Sequence, residues 1–117
     1  MYGFIMKNTV KFNQNRDFRR LYFKGKSVAD ALLVIYYTKS RTPDVSHFGI
    51  TATKKIGKAN KRNRARRLIT EAYRAVAPEI QGGWDFVFVA RTKTTFSNFH
   101  SVYNSMLTLM KKEGIIN

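Results

Sequence analysis

Residues 54–67 read KKIGKANKRNRARR, and LITEAYRAV follows over 68–76. The first stretch carries Lys54, Lys55, Lys58, Lys61, Arg62, Arg64, Arg66 and Arg67 and no acid. The second continues a helical stripe: Ala65, Leu68, Ile69, Ala72, Tyr73 and Val76 fall at i, i+3, i+4, i+7, i+8 and i+11. The spacing predicts a helix over 61–77, ended by Pro78. Its start has the wrong charge. Unpaired amides make a helix N-terminus positive, so each cation in the first turn costs a few tenths of a kcal/mol, roughly, when it lacks a partner. An anion reverses that balance, because free amides and guanidinium groups then converge on it. Gly57, just upstream, lets the backbone turn tightly. Asn63, Arg66, Arg67, Thr70 and Arg74 lie opposite the apolar stripe, a row able to track phosphates.

A solvated basic face is the bland alternative, and the composition weighs against it. The chain has 22 basic and 7 acidic residues in 117, a net charge of +15, and a pI near 10.5. Such self-repulsion is usually matched by a polyanionic partner, nucleic acid first. A membrane is the weaker candidate, since no segment approaches the roughly 18 apolar residues of a spanning helix. With no cysteine, disulfides, thiol nucleophiles and Cys-based zinc sites are excluded. The N-terminal residues lack the pattern of a signal peptide, so the expected location is cytoplasmic. Length and the 44% hydrophobic content predict one domain over 1–117, with 1–10 either ordered or a leader.

Outward from the basic helix, the elements alternate. NRDFRRLYFKG (15–25) reads as a helix with Asn15 as N-cap and Gly25 as its stop. Residues 27–39 read as one strand, 40–46 as a hairpin loop and 47–55 as a second strand. Gly82 and Gly83 mark a turn, 84–91 is the clearest strand, and 97–112 is a last helix. The order is α-β-β-α-β-α, an α+β chain. Phe18 and Tyr22 sit one turn apart. Tyr36 and Tyr37 point to opposite strand faces, so one of them can leave the core. Basic grooves with such aromatic platforms suit single-stranded nucleic acid. Phe86, Phe88, Phe96 and Phe99 are assigned to the core. His47, His100 and the seven acids form no pair or cluster at ligand spacing, so the polypeptide is expected to hold no active site and no metal site.

RDFRRLYFKGKSV, FGITATKKIGKANKRNRARRLITEAYR and WDFVFVAR resemble the protein subunit of bacterial ribonuclease P. The hallmark is Arg62-Asn63-Arg64 after the Lys54-Lys55-Ile56-Gly57-Lys58-Ala59 turn, and the likeness spans residues 11 to 112. The resemblance implies an α/β sandwich with helices on one side of a small mixed sheet and a left-handed β-α-β crossover, against the usual rule. That fold is similar to the second domain of a small-subunit ribosomal protein. It also implies a subunit, monomeric within a ribonucleoprotein, that joins a catalytic RNA and removes the 5′ leader from precursor tRNA. Magnesium is then held mainly by the RNA. By position, Lys54, Lys55, Lys58, Lys61, Arg62, Asn63, Arg64, Arg66 and Arg67 form the RNA-facing set, and Phe18, Tyr22 and Tyr36 the leader-binding cleft. Thr70 and Glu71 stand where the family often continues with arginine, which shortens the basic row. The rival reading is a non-catalytic RNA-binding module, such as a ribosomal protein or an assembly factor, and composition alone does not separate the two.

Overall fold

A computed structural model describes residues 9–12 and 14–117. Strands β1 (Thr9–Lys11), β2 (Lys26–Ala29), β3 (Leu33–Lys39), β4 (Ser46–Thr51) and β5 (Trp84–Ala90) form one sheet in the order β1-β4-β5-β3-β2. β1 and β5 run parallel to β4, whereas β3 is antiparallel to both β5 and β2. The helices are α1 (Asn15–Lys24), α2 (Ala59–Val76), the single turn α3 (Thr92–Thr95) and α4 (Phe99–Lys112). Helix α2 is the crossover between the parallel neighbours β4 and β5.

Strand alternation divides the residues of the sheet between two layers. One face presents Leu33, Ile35, Tyr37, Phe48, Ile50, Phe86, Phe88 and Ala90 to α2 and α4. From α2 come Ala65, Ile69, Ala72, Tyr73 and Val76, the stripe read from the sequence, with Leu68 only half-buried. The Tyr73 ring lies 4.6 Å from Phe48 and 5.3 Å from Phe88, so the centre of the core is aromatic. The other face is covered by α1, whose Arg20 reaches Asp85 and whose Tyr22 reaches Thr51. Packing on one side therefore holds for α2 and α4 but not for α1. The reason is that β5 is apolar on both faces: Val87, pointing away from the main core, is as fully buried as Phe86.

Several local expectations are corrected. Residues 27–39 form a hairpin, β2 and β3, and not one strand. The Asp30 carboxylate accepts from the Leu32 and Leu33 amides at 2.9 and 3.0 Å, an Asx turn that reverses the chain. The strand expected to reach residue 55 stops at Thr51, and Lys54–Ile56 is a 3-10 turn. Helix α2 begins at Ala59, two residues early. Strand β1 and helix α3 were not foreseen. Of the leader considered over 1–10, residues 1–8 lie outside the described residues, and Thr9 and Val10 belong to β1.

Phe96 and Phe99 are not core residues: they are 71% and 40% exposed. In the short helix α3 the inward positions are taken by Thr94 and Thr95, both buried. Phe96 follows them and turns out, where the Lys61 ammonium sits 4.7 Å from its ring centre.

Two core phenols resist ionisation. Burial, then a hydrogen bond donated to Glu113 and the charge of Glu113, push Tyr37 up to about 12. Burial pushes Tyr73 to about 12 as well. An unfolded tyrosine ionises near 10, roughly, so above that pH the unfolded chain loses these protons first. Their contribution to stability is complete below pH 10, roughly, and is lost as pH rises through about 12. In a phenolate absorbance titration, the late-ionising fraction should shrink by one tyrosine in Tyr37→Phe.

Candidate nucleic-acid interface

Helix α2 starts without help from its own side chains. Its N-cap is Lys58, in extended conformation, with no side-chain cap hydrogen bond and no acid in the first turn. The usual cap is Ser, Thr, Asp or Asn, whose oxygen accepts from an orphan amide. Gly57 precedes it at φ 140°, a conformation that L side chains rarely adopt. A Cβ there would stand 2.9 Å from the Lys61 side chain. The turn thus delivers uncapped amides and a ring of cations to one surface.

The nine basic-helix residues divide by what they touch. Arg62 donates to the Gly57 carbonyl at 3.0 Å and locks the turn. Arg64 donates to the carbonyls of Thr95 and Ser97 at 3.0 and 2.7 Å, tying α2 to the α3 loop. Arg66 reaches toward the Ala52 carbonyl at 3.5 Å. Lys54, Lys55, Lys58, Asn63 and Arg67 are exposed, and Lys61 stands over Phe96. The three tied guanidinium groups keep further N–H donors, so fixing them to the backbone aims the rest. Farther along, Arg74 pairs with Glu71 at 2.8 Å, which ends the free basic row.

The second feature lies across the sheet, under α1. Register places Gly49, Val87 and Tyr36 side by side across β4, β5 and β3. A Cβ on Gly49 would lie 2.6 Å from Phe18 and 2.8 Å from Phe12, so the glycine makes room for two rings. Those rings meet edge to face at 5.3 Å. Tyr22 packs edge to face on Tyr36 at 4.9 Å, and its hydroxyl shares a 2.5 Å hydrogen bond with Thr51. Phe18, Tyr22 and Tyr36 are thus brought to one cleft. Phe18 and Tyr36 are half-buried and Tyr22 is 36% exposed, so ring faces and edges remain open to a base. Of the neighbouring tyrosines on β3, Tyr37 is the one that enters the core.

Asp85, at the other end of the cleft, is a residue that sequence reasoning passed over. It is 2% exposed and holds Arg20 at 2.6 Å and His47 at 2.8 Å. The signal was available: an acid within WDFVFVA, in a chain so basic, must be buried and paired. The other engaged acids are equally committed. Asp30 accepts from Ser105 at 2.5 Å as well as from the hairpin amides, and Glu113 accepts from Tyr37. Among the described residues no group of three or more His, Asp or Glu side chains is placed to hold a metal ion.

The geometry defines a class: a small basic α+β domain with an uncapped, cation-rich helix start and an aromatic cleft. Comparison with known proteins specifies it. The family model described as Ribonuclease P matches residues 6–114. A ribonuclease P protein component from Clostridioides difficile (strain 630) is 43% identical over 108 residues, covering 92% of this chain and 94% of the relative. One from Clostridium botulinum (strain Loch Maree / Type A3) is 37% identical, covering 92% and 96%. Among solved structures, the Staphylococcus aureus RNase P protein superposes with a TM-score of 0.78 at 28% identity, covering 92% of this chain and 97% of that one. The Thermotoga maritima RNase P protein gives 0.77 at 29%, covering 87% and 96%. The chain belongs to the ribonuclease P protein family, the accessory subunits of an RNA-catalysed enzyme. The match decides against a ribosomal protein or an assembly factor.

Two substitutions probe this frame. Asp85→Ala leaves Arg20 and His47 without their shared partner and should destabilise the fold by about 3 kcal/mol in urea denaturation. Arg64→Ala removes two backbone hydrogen bonds and should lower stability by about 1 kcal/mol, whereas Arg67→Ala should leave it unchanged within roughly 0.5 kcal/mol.

Proposed function

We propose that the start of α2 and the turn before it (Lys54, Lys55, Lys58, Lys61, Arg62, Asn63, Arg64, Arg66 and Arg67) bind the catalytic RNA of ribonuclease P. On the same reading, the cleft of Phe18, Tyr22 and Tyr36 holds the single-stranded 5′ leader of precursor tRNA. The observation that carries this is the uncapped helix start, where Lys58 replaces a capping oxygen. An RNA phosphate supplies the anion that the chain omits, and relieves the repulsion among the cations. The chain acts as one RNA-binding domain over 1–117, monomeric within a cytoplasmic ribonucleoprotein. Its partners are the catalytic RNA and precursor tRNA, with no membrane involved; among the described residues no helix is long and apolar enough to cross one.

The division of labour follows from chemistry. Leader removal is hydrolysis of a phosphodiester, and magnesium bound by the RNA would supply the activated water. The polypeptide's part is to position the substrate and to lower electrostatic repulsion between two RNAs. Arg66, which reaches toward Ala52, and Tyr22, bonded to Thr51, tie the basic helix and the cleft to adjacent residues. RNA held on one surface therefore lies close to RNA held on the other.

At low magnesium, adding the protein to a bacterial ribonuclease P RNA should enhance cleavage of precursor tRNA. Absence of any enhancement would overturn the reading. Leader binding should fall steeply with salt: neutralising about four phosphates corresponds to a roughly 50-fold loss between about 50 and 200 mM. Binding of the catalytic RNA should weaken likewise, and a flat response there would remove the phosphate role of the α2 start.

A further inference from the structure

Helix α1 has a second face that the cleft does not use. Phe18, Leu21 and Tyr22 turn toward the sheet, so Arg16, Arg19 and Phe23 lie on the opposite side of the cylinder, with Arg20 and Lys24 beside them. Phe23 is 82% exposed, the most exposed of the large apolar side chains among the described residues. It lines an open groove of about 330 Å³ with Arg16, Arg19, Arg20 and Lys24. Arg20 is anchored to Asp85. Arg16, Arg19 and Lys24 pair with no acid among the described residues, so their charge is available to a partner.

An aromatic ring left in water among cations is what a stacking base with its phosphate requires. A second copy of this chain is a poor occupant, because a two-fold contact would set these cations against themselves. A membrane would gain little apolar area from a single ring. The face and the cleft are the two sides of one helix about 10 Å across. A strand that rounded α1 on leaving the cleft would pass over Phe23. The basic start of α2 belongs to a helix packed on the other face of the sheet.

We infer that the outer face of α1 is a second single-strand site, in which Phe23 stacks a base and Arg16, Arg19 and Lys24 hold phosphates of the leader upstream of the part in the cleft. The inference rests on the leader-binding reading and extends the bound strand beyond the cleft.

The test uses reconstituted holoenzyme and two precursor tRNAs, one with a leader long enough only to fill the cleft and one extended by further unpaired nucleotides. Phe23→Ala, and separately Arg16→Ala with Arg19→Ala, should raise Kd for the long-leader substrate about tenfold and leave the short-leader Kd within about twofold. Phe23→Trp should retain the long-leader affinity. Because Phe23 is exposed, melting temperatures should be unchanged. Equal losses on both leaders, no loss on either, or a loss only in affinity for the catalytic RNA would each overturn the site. Phe23-dependent binding to vesicles of anionic lipid without any leader-length effect would also overturn it. A wild-type holoenzyme that binds neither substrate would instead refute the leader-binding reading.

Discussion

Strand β5 must be buried on both faces, and the rest of the molecule is arranged around that requirement. Its seven residues lie between a parallel and an antiparallel neighbour, so the backbone is paired on both edges. Phe86 and Phe88 need cover on one side and Val87 on the other. Helices α2 and α4 supply the first and α1 the second. The cost of this solution is Asp85, a carboxylate carried into the interior by the strand. Arg20 from α1 and His47 from β4 offset its desolvation. The Arg20–Asp85 contact ties α1 to the sheet beside the cleft.

The acids that the structure engages explain where positive charge is left over. Asp85 holds α1, Asp30 holds the β2–β3 turn, Glu113 holds Tyr37 and Glu71 holds Arg74. None of these serves the start of α2. Cations collect there without a counter-charge, beside amides that no side chain caps. The surface is electrostatically unfavourable for the protein alone, and an anion placed there would relieve it.

Much of this was legible along the chain. The stripe from Ala65 to Val76 defines the buried face of α2, and the Lys-Lys-x-Gly turn with Arg62-Asn63-Arg64 identifies the family. Phe18, Tyr22 and Tyr36 do meet in one cleft. Other features were hidden for identifiable reasons. The hairpin within 27–39 depends on Asp30 bonding amides two and three residues on, a competition between side chain and ladder that hydropathy does not register. Phe96 and Phe99 read as core by composition, but α3 turns the chain one step earlier and presents Thr94 and Thr95 inward instead. Arg64, which the sequence offered only as a member of the RNA-facing set, braces the loop after α3 through the carbonyls of Thr95 and Ser97.

Charge, helical period and motif spacing relate residues close together in the chain. They were enough to establish the basic helix, the wrong-sign charge at its start and the family, whereas the absence of a capping oxygen at Lys58 emerged only with the fold. Which side of the sheet α1 covers, which arginines are tied to carbonyls, and which aromatic rings stay in water depend on contacts between residues dozens of positions apart. Tyr36 and Tyr37 show the difference: adjacent in sequence and chemically identical, they part because β3 alternates and each face of the sheet meets a different helix. One ring is sealed into the core with its proton held, and the other is left at the cleft where a base can reach it.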